Sequence, residues 1–175
     1  YLFNAAAALT LVYSILGKNI DTKKLLHSLS EIEPAFGRGE TLQVNGQPVE
    51  LVLVKNPSGF RLALRSFSPD SYATMIAIND NYADGRDMSW LWDVSFESLK
   101  ENGVDTVSGI RAYDMALRLQ YDDVEPSQVT TNLKQGLQHF LSANPTAPKR
   151  IFCTYTAMLS IRKELSKITE VEEVL

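Results

Sequence analysis

The spacing of apolar residues changes character between Leu29 and Val49. Before that change, residues 3–16 are apolar almost all round, as expected of a helix buried between other elements. Asn4 is placed to act as its N-cap and Gly17 as its stop. Leu25, Leu26 and Leu29 recur at helical spacing behind Asp21, which predicts a second, amphipathic helix capped by that aspartate. The segment EPAFGRGE reads as a linker from its proline and glycines, and a domain boundary is expected there.

Beyond the boundary, short apolar runs alternate with helical patterns. TLQVNGQPVELVLV predicts a hairpin turning at Asn45-Gly46 and leading into a buried strand, Val49–Val54. NPSGFRLALRSF breaks that strand at Asn56-Pro57 and opens a helix. ATMIAI, DTVSGI and KRIFCTYT read as further strands. RAYDMALRLQY, SQVTTNLKQGLQHFLS (capped by Ser127) and AMLSIRKELSKI read as helices. This alternation predicts an α/β fold, a mainly parallel sheet with helices on both faces. Ligands of such sheets collect beyond the carboxyl ends of the strands. DNYADGRD begins where ATMIAI stops, and KNPSG and SGIR are expected at equivalent positions after neighbouring strands.

Charge narrows the partners. With 17 Lys and Arg against 21 Asp and Glu, the net charge is −4, and no general basic field attracts nucleic acid or anionic lipid. No nucleic-acid partner and no membrane anchor are expected. The apolar start lacks a basic leader and a cleavage pattern, and falls short of the roughly 20 residues that span a bilayer. It begins directly in a helix and reads as the edge of a longer chain. The single cysteine, Cys153, excludes an internal disulfide and a multi-cysteine metal site within these residues, and its apolar setting predicts a buried thiol. His27 and His139 lie in helical patterns, where surface or cap roles are expected.

The stretch DNYADGRDMSWLWD carries the densest chemistry. Asp80, Asp84, Asp87 and Asp93 cannot all be ionised, adjacent and dry. Each faces water or takes a partner such as Arg86, Arg111, a helix N-terminus or a metal ion. Magnesium carried in with a nucleotide wants one or two carboxylates, whereas the spacing does not match an EF-hand loop; helix capping is the plainer alternative. Trp90 and Trp92 would face the same way in an extended chain, either into the core or toward a partner. No G-x-x-x-x-G-K-[ST] loop is present, and no Ser–His–Asp or Cys–His set assembles. The residues therefore read as contributing to a site without completing one.

Several segments together resemble a known family. FNAAAALTLVYSILG followed by EPAFGRGE resembles the last helix of a Mur ligase ATPase domain and the crossing into its C-terminal domain. LVLVKNPSGF stands where Mur ligases carry His-Asn-Pro, with Lys55 in place of the histidine, and DNYADGRDMSWLWD stands where they carry an Asp-Arg-Asp-type loop. With SGIRAYDMALRLQY and IFCTYTAML, the chain is similar over essentially its whole length to the MurT subunits of lipid II isoglutaminyl synthase. The resemblance implies a helical end of the central domain over residues 1–36. It also implies a Rossmann-like domain of the Mur ligase C-terminal type over 37–175.

The resemblance further implies a ligase subunit paired with a GatD-type glutaminase. Such a pair uses ATP and Mg2+ to amidate the D-glutamate of the lipid II stem peptide to D-isoglutamine, for peptidoglycan synthesis. It would be cytoplasmic and work at the inner face of the membrane. The family's P-loop and its cysteine-ligated zinc belong to the central domain, so no metal site is expected in this chain. An aspartate of the DGRD-type loop would complete the glutaminase's cysteine–histidine pair: Asp87 first, then Asp84 and Asp93. Contact with nucleotide or magnesium, or simple capping, are the other roles open to Asp87. Lys55 and Asn56 would meet nucleotide phosphates and base or ribose, and Arg111 a phosphate or a nearby aspartate. Two other readings stay open, an ordinary Mur ligase C-terminal domain that adds an amino acid without a glutaminase, and a non-catalytic docking module.

Overall fold

The structure is a computed structural model that describes residues 2–17, 20–32 and 38–171. Two compact units divide the chain, Tyr1–Pro34 and Ala35–Leu175. In the first, helix α1 (Leu2–Leu16) is followed by α2 (Thr22–Ser30). The helix-favouring alanines carry α1 back to Leu2, so Asn4 lies inside its first turn and does not cap it. Phe3, Leu11, Ile15 and Leu16 are exposed, so the burial expected for α1 is absent among the described residues. Asp21 caps α2 as expected, its carboxylate accepting from the backbone N–H groups of Lys23 and Lys24.

In the second unit, β1 (Arg38–Val44) and β2 (Gln47–Leu53) form the expected hairpin. Asn45 and Gly46 both take positive φ, 52° and 78°, the geometry of a turn that matches strand twist. The linker expected at EPAFGRGE is corrected in part. Its residues 33–37 lie outside the described residues, but Arg38, Gly39 and Glu40 already belong to β1. Glu40 is buried against Arg162, which ties the strand's start to the last helix.

The chain continues through α3 (Pro57–Ser66), β3 (Ala73–Ala77), β4 (Val104–Ser108), α4 (Ala112–Gln120), β5 (Pro126–Thr130), α5 (Leu133–Ser142), β6 (Lys149–Cys153) and α6 (Tyr155–Leu165). Three short 3₁₀ turns, Tyr82–Asp84, Ser89–Asp93 and Glu97–Leu99, fill the connection between β3 and β4. Ser127 does not cap a helix. Residues 126–130 form β5, where Val129 and Thr130 favour extended backbone, and Asn132 caps α5 by accepting from Gln135 N–H at 3.1 Å.

The sheet order is β1-β2-β6-β3-β4-β5, parallel except for β1. Alternation along the strands builds two cores. Val52, Phe152, Ile76 and Val107 meet α3 and α4 through Phe60, Leu64, Met115 and Leu119. Leu51, Ile151 and Met75 meet α5 and α6 through Phe140, Met158 and Ile161. Each such side chain, withdrawn from water, contributes roughly 1.5–3 kcal/mol before entropy is counted. All five residues of β3 and of β6 are buried, as strands covered on both faces must be.

Candidate functional site

Beside β3 the parallel order places β6, so KNPSG, which follows β2, does not lie next to the acidic loop as expected. From β3 the chain passes to the face of α3 and α4; from β6 it enters α6 on the opposite face. Divergence of two adjacent strands opens a crevice at their carboxyl ends, the usual ligand position in such sheets. Its floor is polar. Asn79 donates its backbone N–H to the Thr154 hydroxyl (2.9 Å) and its side-chain amide to the Thr156 hydroxyl (3.1 Å). Its side-chain oxygen accepts from Ile110 N–H at 3.0 Å, which stitches the β4 loop to the same floor. That loop comes so close that a Cβ on Gly109, at φ +96°, would stand 2.4 Å from the Ile78 carbonyl oxygen. Only glycine fits there.

Asp84 turns inward. With Thr154 engaged on Asn79, capping of α6 passes to Asp84, whose Oδ1 accepts from Thr156 N–H at 2.8 Å. Its Oδ2 accepts from the Thr156 hydroxyl (2.6 Å) and from Asn81 N–H (3.0 Å). A carboxylate is favourable at a helix N-terminus. Asp80 is buried and receives Arg111 Nε at 2.9 Å and Nη2 at 2.8 Å, while Arg111 Nη1 reaches Asp114 at 3.2 Å. These hydrogen bonds, Asp80's first, raise the Arg111 pKa further above its already high ordinary value.

Asp87 turns outward. Exposed on the loop, it accepts from the backbone N–H of Ser89 at 2.8 Å. That bond, and after it one from the Ser89 side chain, hold its carboxyl below the ordinary aspartate range. Asp93 is also exposed, and its backbone carbonyl accepts from Arg61 Nη1 at 3.3 Å. Trp90 and Trp92 belong to a 3₁₀ turn, so they do not share a face as an extended chain would require. Trp90 packs edge-on to Phe60 and Trp92 packs edge-on to Tyr121. Tertiary partners of the two rings override the local pattern.

Across the sheet, Asn56 caps α3, its side-chain oxygen accepting from Gly59 N–H at 2.7 Å, and Lys55 is exposed beside it. Lys55 enters no salt bridge among the described residues. The structure thus brings Asp80, Asp84 and Arg111 into contact with the rim's own polar groups and leaves Asp87, Asp93 and Lys55 facing solvent. Cys153 is fully buried in the second core, and burial pushes its thiol pKa up, so it is no nucleophile. Among the described residues no group of three or more His, Cys, Asp or Glu side chains could hold a metal ion. No described helix is long and apolar enough to cross a membrane. Asn79, Thr154 and Thr156 were not among the residues the sequence singled out. Their only local signal is a pair of threonines at a strand-to-helix junction.

Residues 53–158, which include every candidate named above, match the family described as MurT ligase C-terminal. The chain is 31% identical over 171 residues to the lipid II isoglutaminyl synthase (glutamine-hydrolyzing) subunit MurT of Streptococcus pneumoniae, covering 94% of this chain and 37% of that relative. The chain therefore spans only about a third of the length of the curated relatives it matches. Among solved structures, MurF from Acinetobacter baumannii aligns with a TM-score of 0.65 at 15% identity, over 94% of this chain and 37% of that one. Folylpolyglutamate synthase of Mycobacterium tuberculosis, complexed with ADP and AMPPCP, aligns at 0.57 and 16% identity, over 94% and 39%. At such identities the likeness concerns the fold alone.

Proposed function

The chain belongs to the MurT ligase C-terminal family, and from that premise we propose that it is part of the ligase subunit of a glutamine-dependent lipid II isoglutaminyl synthase. Residues 1–36 are then the helical end of a central ATPase domain and 37–175 the domain that docks a GatD-type glutaminase. The whole enzyme converts the D-glutamate of the lipid II stem peptide to D-isoglutamine in peptidoglycan synthesis, at the cytoplasmic face of the membrane. The relative's name supports this reading, since it describes one subunit of a glutamine-hydrolyzing synthase.

Asp87 carries the role assigned to this domain. The observation behind it is the outward placement of its carboxylate, held only by Ser89 within one turn, on a loop inside the family match. A carboxylate reaching across the interface would accept the proton-bearing nitrogen of the partner's catalytic histidine. It would fix that ring's tautomer and stabilise the imidazolium formed when cysteine is deprotonated. Asp84 suits this task less, because its oxygens already serve α6 and Asn81. Asp93 is exposed but lies beyond the Trp-Leu-Trp turn.

ATP, with its magnesium, supplies phosphoryl activation of an otherwise poorly electrophilic carboxylate. Residues here that fit a nucleotide are few. Lys55 is an exposed cation at the start of α3 and would meet a phosphate, whereas Asn56 already uses its oxygen to cap the helix and would offer its amide N–H. Arg111 is neutralised by Asp80 and Asp114, so its share in phosphate binding would require one of those pairs to open. The ADP-bound synthase of like fold supports a nucleotide at this rim. A zinc site would need residues outside those described here.

The test is Asp87→Asn in the full-length subunit assembled with its glutaminase. Glutamine hydrolysis is expected to be lost while the two subunits still co-purify. Hydrolysis at the wild-type rate would remove Asp87 from the glutaminase centre.

A further inference from the structure

We propose that the outer face of α4, from Ile110 through Tyr113 and Leu117 to Tyr121 and joined by Trp92, is the surface on which the glutamine-hydrolysing subunit docks. The inference rests on the function proposed above and adds the place of contact. Isolated exposed apolar residues are ordinary on a protein surface, but contiguous ones are not. Tyr113, Leu117 and Tyr121 follow one another at four-residue spacing, which stacks them along one helix face. They are 67%, 48% and 71% exposed, and Ile110 is 52% exposed at the helix's entry. Trp92, 49% exposed, extends the stripe sideways, its ring 5.1 Å from that of Tyr121.

The surroundings resemble a protein interface rather than a membrane or nucleic-acid surface. At one end Arg111 pairs with Asp114, and at the other Lys100 pairs with Asp123 at 2.8 Å. Charge at the border is therefore matched internally, around a centre rich in tyrosine and tryptophan, the residue types that dominate binding energy.

Continuity with the acidic loop selects the occupant. The loop is fastened to α4 at both ends, by Asp80 on Arg111 at the helix start and by Trp92 on Tyr121 at its end. Arg118 reinforces the second attachment, stacking on Trp92 and donating to the Val94 carbonyl at 2.6 Å. Asp87 lies in the span between these two fastenings. A partner whose reactive centre receives Asp87 must cover that span, and the nearest apolar ground for it is α4.

The experiment uses the full-length ligase subunit and its glutamine-hydrolysing subunit, with affinity measured by calorimetry and folding by near-ultraviolet circular dichroism. Leu117→Asp and Tyr113→Ser, both at exposed positions, are each expected to weaken association by about tenfold or more. Ile168→Asp, exposed after α6 and away from the stripe, is expected to change it by less than about twofold. Unchanged affinity in both folded α4 variants overturns the docking surface; the function itself survives if Asp87→Asn still abolishes hydrolysis. No association of the wild-type subunits overturns both. Self-association of the ligase subunit that Leu117→Asp abolishes, with glutaminase binding unaltered, makes a second copy the occupant and also overturns the proposal.

Discussion

The two halves of the loop after β3 use the same chemistry for opposite ends. From Asn79 to Asp84 every side chain with a carboxylate is drawn inward: Asp80 onto Arg111, and Asp84 onto Thr156 and Asn81. From Asp87 to Trp92 the chain turns outward, and the groups that hold Asp87 both come from Ser89. The first half builds the floor of the crevice and anchors α6. The second half exposes a charge that the fold itself does not require. An acidic cluster in a sequence is thus not one feature, and its members separate by what the neighbouring strand supplies.

The sharpest way to break this comparison is to substitute one aspartate from each half. Asp87→Asn is expected to lower glutamine hydrolysis by the assembled enzyme on the order of 10⁴-fold, the scale seen when the carboxylate orienting a catalytic histidine becomes an amide. Its melting temperature should match wild type. Asp84→Ala should do the reverse. Removing that carboxylate leaves the Thr156 N–H and hydroxyl and the Asn81 N–H without their acceptor and α6 without its cap. A loss of about 1–3 kcal/mol in denaturant unfolding follows. If Asp84→Ala unfolds like wild type while Asp87→Asn is destabilised, the division of roles is inverted.

Local features of this fold were legible in the sequence because local physics decides them. The Asn45-Gly46 turn, the Asp21 cap, the Asn56-Pro57 helix start and the buried run of β3 each rest on a few adjacent residues. Strand order was not legible. Insertion of β6 between β2 and β3 joins Asn79 to Thr154, 75 residues apart, and no spacing rule announces that contact. The inward turn of Asp84 depends on that insertion, so sequence alone could not separate it from Asp87. The tryptophans failed for a related reason. An extended reading puts them on one face, but Phe60 and Tyr121, on two different helical segments, draw the rings apart. The resemblance to MurT subunits reached further than periodicity, because it rests on several motifs in order along the chain.

Lys55 offers a weaker contrast on the other side of the crevice. As an exposed cation without a salt-bridge partner among the described residues, it has no fold-stabilising duty to lose. Lys55→Ala is expected to reduce ATP-dependent amidation by about tenfold, the scale of one charge-assisted hydrogen bond, and to leave glutamine hydrolysis unaltered. Steady-state assays of both half-reactions on one preparation check this. Equal loss in the two assays would place Lys55 in assembly instead of nucleotide contact.

The smallest expected effect concerns the protonation of Asp87 itself. The backbone N–H of Ser89, and secondarily its side chain, favour the charged form, so the folded-state pKa lies below the unfolded one. For a carboxylate shifted downward, the associated stabilisation is present above the unfolded pKa and is lost as pH falls through the folded value. At neutral pH Asp87 is therefore ionised, as a partner to an imidazolium must be. Carbon-13 NMR of the labelled carboxyl should give a titration midpoint under the usual aspartate value of about 3.9. Ser89→Ala should raise that midpoint only part of the way, because the backbone N–H, the larger cause, remains. A wild-type midpoint at or above the usual value would mean that the Ser89 bond does not hold the carboxylate, and that the outward half of the loop lacks the order its proposed role requires.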